Sequence, residues 1–237
     1  MEDIRELLVS SARGCGLEVT AAQAESFQQY MELLVEWNEK INLTAITEPR
    51  EVAIKHFLDS ILLLKFMDIP QGAKLIDVGT GAGFPGLPLK IMRPDIKLTL
   101  LDGLNKRLIF LQDVLDKLKL SAELVHARAE EAGRQAKYRG AYDFATARAV
   151  APLNLLSEYC LPFLKMGGAF AAMKGPQITD ELDSAKNAIK LLGCTLVKAE
   201  EFTLPGGDGR SLVLIARTNA LPALYPRHGA KITKSPL

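Results

Sequence analysis

Cysteine is scarce in this chain. Cys15, Cys160 and Cys194 stand far apart, with no CxxC pair and an odd count. That excludes a disulfide framework and a cysteine-based zinc site. Only three histidines are present and none has a second at ligand spacing, so no metal is expected. Long apolar runs are missing as well. The longest aliphatic run, residues 61–64, is far short of the ~20 residues a membrane span needs, so no membrane partner is expected. The opening residues, MEDIRELL, lack the basic start and apolar centre of a signal peptide, which makes the cytoplasm the expected compartment. Excess charge is absent too: 29 Lys and Arg against 28 Asp and Glu give +1. A nucleic-acid site must therefore be a local patch on the surface. No repeats or low-complexity segments are found.

What is present is an ordinary globular composition, 48% hydrophobic and 24% charged over 237 residues, enough for one substantial core and read as a monomer. Residues 1–65 read as a helical extension. Thr20 followed by Gln23 forms a capping-box pattern, and Phe27, Tyr30, Met31, Leu34, Val35 and Ile41 recur at helical spacing. The pattern breaks at Asn42-Leu43-Thr44. A further helix is expected from near Thr47, with Pro49 in its first turn and Ile54, Phe57, Leu58 and Ile61 on one side. Residues 66–217 change texture. Short apolar runs at 74–78, 97–101, 123–127, 142–145, 169–173, 195–198 and 212–216 read as strands, with helical stretches between the first six. This alternation predicts a mostly parallel sheet with helices on both faces. Between the last two runs lies only Pro205-Gly206-Gly207-Asp208-Gly209, which suits an antiparallel hairpin. The pattern resembles the seven-stranded class I (Rossmann-like) methyltransferase fold, carrying here an N-terminal helical cap. Residues 218–237 read as a basic tail.

The strongest local signal is the run from Leu75 to Gly86, where an apolar strand enters alternating glycines Gly79, Gly81 and Gly83 and then a helix. Such a loop lets the backbone turn sharply and approach a ligand, beside free N–H groups of a helix start. Gly81, Gly83 and Gly86 also satisfy a dinucleotide GxGxxG register. Asp77, just before the glycines, favours adenosylmethionine, because it can meet that ligand's positive charges. Asp102 ends the second strand, where an acid accepts hydrogen bonds from ribose hydroxyls of either cofactor. Arg128-Ala129-Glu130-Glu131 follows the third strand, suited to an adenine contact or to a solvated helix start. His56, Asp59 and Ser60 share a helical face, as a polar wall of the site or a local cap over the core. The tail, with Arg217, Arg227, His228, Lys231 and Lys234 and no acid, suits a phosphate backbone or a solvated end.

The fourth strand ends in TARAVAP (146–152), where enzymes methylating exocyclic amines carry Asn/Asp-Pro-Pro-aromatic; that motif is missing. So is a cysteine nucleophile, because Cys160 lies on an apolar helix face. Among base methylations, N7 of guanine fits this shortage best. Its in-plane lone pair needs neither deprotonation nor covalent activation, leaving alignment and electrostatics to the enzyme.

Several motifs in one order resemble the RsmG (GidB) family of bacterial 16S rRNA guanine-N7 methyltransferases: WNEKINLT (37–44), HFLDS (56–60), the loop 77–88, LNKR (104–107), RAEE (128–131), TARAVA (146–151), MKG (173–175) and YPR (225–227). The resemblance covers almost the full length and implies S-adenosyl-L-methionine as cofactor. It implies that Gly79 and Phe84 line the cofactor pocket, with Ala129 and Glu130 near the adenine and Arg148 against cofactor or base. Together with Asp77, Gly81, Gly83 and Asp102, these make up the expected cofactor site. Arg148, Lys174 and His56 are the candidates for a catalytic role. Lys174, Arg227, Lys231 and Lys234 are the expected RNA contacts, and the implied target is one guanosine in the 530 loop of 16S rRNA or the small subunit. The rivals are a small-molecule methyltransferase and a non-catalytic ribosome-assembly factor. Intact Asp77, glycines and Asp102 argue against the latter.

Overall fold

The computed structural model describes residues 3–237; Met1 and Glu2, part of the extension expected over 1–65, lie outside the described residues. In chain order the elements are α1 (Arg5–Gly14), α2 (Ala21–Asn38), α3 (Pro49–Glu51), a π-helix (Val52–Leu58), α4 (Asp59–Ile61), α5 (Leu63–Phe66), β1 (Lys74–Val78), α6 (Gly86–Met92), β2 (Lys97–Asp102), α7 (Asn105–Leu118), β3 (Glu123–His126) and α8 (Ala129–Ala132). There follow β4 (Tyr142–Arg148), α9 (Leu153–Cys160), a 3₁₀ turn (Leu161–Phe163), β5 (Leu164–Lys174), α10 (Thr179–Leu191), β6 (Cys194–Thr203), β7 (Gly209–Arg217) and α11 (Gly229–Lys234).

The strands form one seven-stranded sheet in the order β3-β2-β1-β4-β5-β7-β6. All neighbours are parallel except the pairs made by β7, which runs antiparallel to both β5 and β6. The order reverses at β1, whose neighbours are β2 and β4, and the carboxyl ends of these strands open a crevice there. Side chains alternate across the sheet as the pleat requires. Leu75, Leu98, Leu100, Ala171, Met173 and Leu212 face one core. Ile76, Leu101, Phe170, Ala172, Val213 and Ile215 face the other.

The first core also holds Leu8, Phe27, Tyr30, Phe57 and Ile61, so the helices from Arg5 to Phe66 join α6 and α7 on one sheet face and share its core. The start of α2 is fixed locally. Thr20 accepts from the Gln23 N–H (3.3 Å) while the Gln23 side chain accepts from the Thr20 N–H (2.9 Å), the expected capping box. Tyr30, fully buried, donates its hydroxyl to the Ala82 carbonyl and so ties α2 to the glycine loop. The other face carries α9, α10 and the C-terminal segment.

Two features differ from the sequence expectation. The link from β3 to β4 holds only the short α8 and a series of turns, because Arg134–Gly140 offers no apolar stripe to bury. Several strands also run longer than their apolar centres. In β5 the extension includes Gly168, where a Cβ would come within 2.9 Å of the Asp143 carbonyl; only glycine admits that approach. Among the described residues no helix is long and apolar enough to cross a membrane.

Candidate active site

The loop after β1 turns through positive φ at Gly79 (+68°), Gly81 (+60°) and Gly83 (+99°). Asp77 clasps it from beneath. Its carboxylate accepts from the Thr80 hydroxyl (2.6 Å), the Gly86 N–H (2.9 Å) and the Thr146 hydroxyl (3.4 Å), with no solvent exposure. Burial pushes this carboxyl up to about 6, and the Thr80 and Gly86 donors hold it from rising further. Asp77 therefore anchors the loop from below, and its neighbours Val78 and Gly79 line the cleft above it. Gly83 is packed into the core against Tyr30, Leu87 and Leu111.

A cleft of about 490 Å³ opens at the carboxyl ends of β1, β2 and β3, walled by Gly79, Asp102, Gly103, Ala129, Glu130 and Val150. Gly79 is needed here, since a Cβ would meet Val150 at 2.8 Å and force the walls apart. Asp102 accepts from the N–H groups of Gly81 (2.9 Å) and Leu104 (2.8 Å) and from Arg107 (3.3 Å). A carboxylate offers about four acceptor positions, so one remains for a hydroxyl in the cleft. A ribose-accepting acid, a glycine-lined floor and this volume fit an adenosine-bearing cofactor.

A second cleft of about 360 Å³ lies across the segment that follows β4, with Ala149 (φ +55°) lining it and Val150 lining the first. Its centre is Arg148. The guanidinium lies 4.8 Å above the Phe84 ring and donates to the Lys55 carbonyl (3.0 Å), Asp59 Oδ2 (3.2 Å) and His56 Nδ1 (3.1 Å). Because Arg148 donates to Nδ1, the His56 proton sits on Nε2 and points to the Thr44 hydroxyl oxygen at 2.9 Å. Burial first, then the Arg148 charge, pulls His56 down to about 3, so it is neutral at physiological pH. Burial lowers Arg148 and raises Asp59, while their mutual attraction opposes both shifts. Lys174 donates to the Ala151 carbonyl (2.8 Å) and pairs with Glu181 (2.7 Å). The lining carries four cations (Lys55, Arg148, Lys174, Arg210) and two acids (Asp59, Glu181), and Lys55 is paired beyond it with Glu51 (2.8 Å) and Asp208 (3.5 Å).

The structure brings together His56, Arg148 and Lys174 in the second cleft, and Gly79, Asp102, Ala129 and Glu130 in the first. Phe84 lies beneath, stacked on His56 at 4.5 Å. Ser60 is fully buried and donates to the His56 carbonyl (2.5 Å), the arrangement of a local cap over the core, while His56 and Asp59 line the cleft. Arg227 is also buried. Its guanidinium is paired with Glu158 and so departs from the expected position on RNA, whereas Lys231 and Lys234 are exposed. Lys55 and Arg210 were not legible in advance: Arg210 reaches the site only because β7 pairs with β5. Thr44 lay inside a quoted motif. Asn38 accepts from the Leu43 and Thr44 N–H groups (2.8 and 3.0 Å), which turns the chain so that Thr44 meets His56.

No thiol serves either cleft. Burial pushes Cys160 well up and Cys194 up to about 12. Among the described residues no group of three His, Cys, Asp or Glu is arranged to hold a metal.

Known proteins agree with this geometry. The family profile described as GidB, rRNA small subunit methyltransferase G, matches residues 23–209. A Ribosomal RNA small subunit methyltransferase G from Desulforamulus reducens is 47% identical over 239 residues, covering 100% of both chains. One from Alkaliphilus oremlandii is 47% identical over 99% of each. Among solved structures, TrmN from Thermus thermophilus superposes with a TM-score of 0.54 at 19% identity, over 68% of this chain and 48% of that one. The [4+2]-cyclase SpnF does so with 0.57 at 14% identity, over 85% and 98%. The distant structures show the Rossmann-like fold; the near-complete, 47% identical relatives and the profile show more, and by them this chain belongs to the rRNA small subunit methyltransferase G (GidB) family.

Proposed function

We propose that the chain transfers a methyl group from S-adenosyl-L-methionine to N7 of a guanosine in 16S rRNA. The observation that carries this reading is the meeting of two clefts at one segment after β4. One fits adenosine; the other gathers paired cations around Arg148 and has no cysteine in its lining. Asp102 has an acceptor position left for the ribose, and Gly79 lets the floor close beneath the ligand. Bound there, S-adenosyl-L-methionine supplies an electrophilic methyl on a positively charged sulfur. Arg148, locked by Lys55, Asp59, His56 and the Phe84 face, is a rigid centre of the second cleft. His56 is neutral and its Nδ1 is occupied, so its work is to orient Arg148. A site with no cysteine in its lining and no Asn/Asp-Pro-Pro motif after β4 suits N7, which has a lone pair in the ring plane and no proton to lose.

Lys55, Lys174 and Arg210 line this cleft in ion pairs, and a phosphate backbone that exchanged with their carboxylate partners would meet three cations. The target base must leave its stack to reach the shared segment. Labelled methyl groups from S-adenosyl-L-methionine should enter small-subunit RNA prepared from cells lacking this gene. Small-subunit RNA already carrying the modification should take up none. Equal labelling of both preparations, or of RNA-free small molecules only, would contradict the proposal.

A further inference from the structure

Strand ends, loops and the helices α8 and α9 line most of the adenosine-fitting cleft; the C-terminal segment adds a further wall through His228, Gly229, Ala230 and Thr233. This segment is held from both directions. Arg227 donates through its backbone N–H and Nε to Glu158 Oε1 (2.7 and 2.9 Å) and through Nη2 to Oε2 (2.6 Å). Glu158 has no solvent exposure and stands on α9, the helix that begins just beyond the segment shared by the two clefts. From the β3–β4 link, Arg134 donates to the Pro226 carbonyl (2.8 Å), and Arg139 donates to the carbonyls of Tyr225 and Pro222. Ile232 is fully buried beyond the clasp. A segment that served only to meet solvent phosphates would not require a buried carboxylate to hold it. Gly229 supplies the closest approach: a Cβ there would overlap Glu130 Oε1.

We propose that residues 227–234 form a wall of the cofactor site, clasped by Arg227 and Glu158, and that this wall sets affinity for the adenosine half of the ligand. The inference rests on reading the cleft as the S-adenosyl-L-methionine site. Arg227, Glu158 and Gly229 are positioning residues: the first two hold the wall, and the glycine lets it close on Glu130. Breaking the buried pair alone would leave a charge uncompensated and confuse folding with binding. The informative variants therefore keep it.

Calorimetric titration with S-adenosylhomocysteine, and separately with adenosine, should be run on the full chain, on a chain ending at Arg227, and on Gly229→Val. The end of the Glu130 side chain can swing aside, so Gly229→Val should melt within a few degrees of the parent. Both variants should lose at least about tenfold in affinity for either probe, and Gly229→Val should bind small-subunit RNA as before. A folded variant with unchanged affinity for both probes overturns the inference, as does a loss confined to RNA binding. If the unaltered chain binds neither probe, the cofactor reading of the cleft has failed, and the inference falls with it.

Discussion

Replacing Asp77 by Asn removes a buried charge yet keeps an acceptor for the groups that bind it. The carboxyl, with an ordinary value of 3.8, is pushed to about 6 by burial, so keeping it ionised costs the native state about 3 kcal/mol at neutral pH. The sign follows from proton binding. Between pH 3.8 and 6 the native chain binds more protons at this site than the unfolded chain does, so stability falls as pH rises through that window. Asn carries no such dependence, and its amide oxygen can still accept from the Gly86 N–H and the Thr80 hydroxyl. Asp77→Asn should therefore match or exceed the parent in stability at pH 7. Asp77→Ala should fall about 2–6 kcal/mol below Asp77→Asn, because the two buried donors that Asn still satisfies are orphaned at about 1–3 kcal/mol each. Urea denaturation across pH 3.5–7 reads both effects, the parent losing about 3 kcal/mol relative to Asp77→Asn over that range. Affinity of Asp77→Asn for S-adenosylhomocysteine should stay within about threefold, a change of under 1 kcal/mol. A tenfold loss of affinity at unchanged stability would refute the anchoring role and place the carboxylate on the ligand.

Three further outcomes are expected. His56, held near 3 against an ordinary 6.5, makes the unfolded chain the better proton binder between those values. In the Asp77→Asn background stability should thus rise with pH across that window, by up to about 5 kcal/mol, and His56→Gln should flatten the rise. Gly83→Ala puts a methyl against Tyr30, Leu87 and Leu111 at φ +99° and should cost about 2–4 kcal/mol in denaturant melts. Gly81→Ala, at φ +60° with open space around it, should cost only about 1–2 kcal/mol. Arg148→Lys cannot reproduce the fork reaching Lys55, Asp59 and His56, so single-turnover methyl transfer should slow about 100-fold, or roughly 2.7 kcal/mol, in a chain that still folds.

The sheet was legible because buried strands leave continuous apolar runs; all seven fall at their expected places, and the Gly-rich turn marks the hairpin. Strand ends were not. The outer half of β6 alternates polar residues such as Glu200 and Glu201 on an edge, where nothing apolar records its length. Glycine spacing and Asp102 pointed to the cleft at the carboxyl ends of β1 and β2, since both follow from where a strand must stop. Long-range polar pairing left no such trace. Arg227 looked like a tail cation because its partner, Glu158, is 69 positions away on an otherwise apolar helix. Asp77 looked like a ligand contact because a local string cannot say whether a carboxylate faces up into a cleft or down onto Thr80 and Gly86. The π-helical stretch Val52–Leu58 is likewise invisible to a 3.6-residue period.

The central claim is that N7 of one guanosine in 16S rRNA accepts the methyl group. Methylation there places a positive charge on the imidazole ring, so borohydride reduction followed by aniline cuts the strand at that nucleotide. Small subunits from cells lacking the gene should be incubated with the chain and S-adenosyl-L-methionine, and the extracted RNA reduced, cleaved and mapped by primer extension. The account predicts a single new stop, at a guanosine of the 530 loop, absent when the cofactor is omitted. Methyl incorporation without a new stop, or a stop at another base, would contradict it.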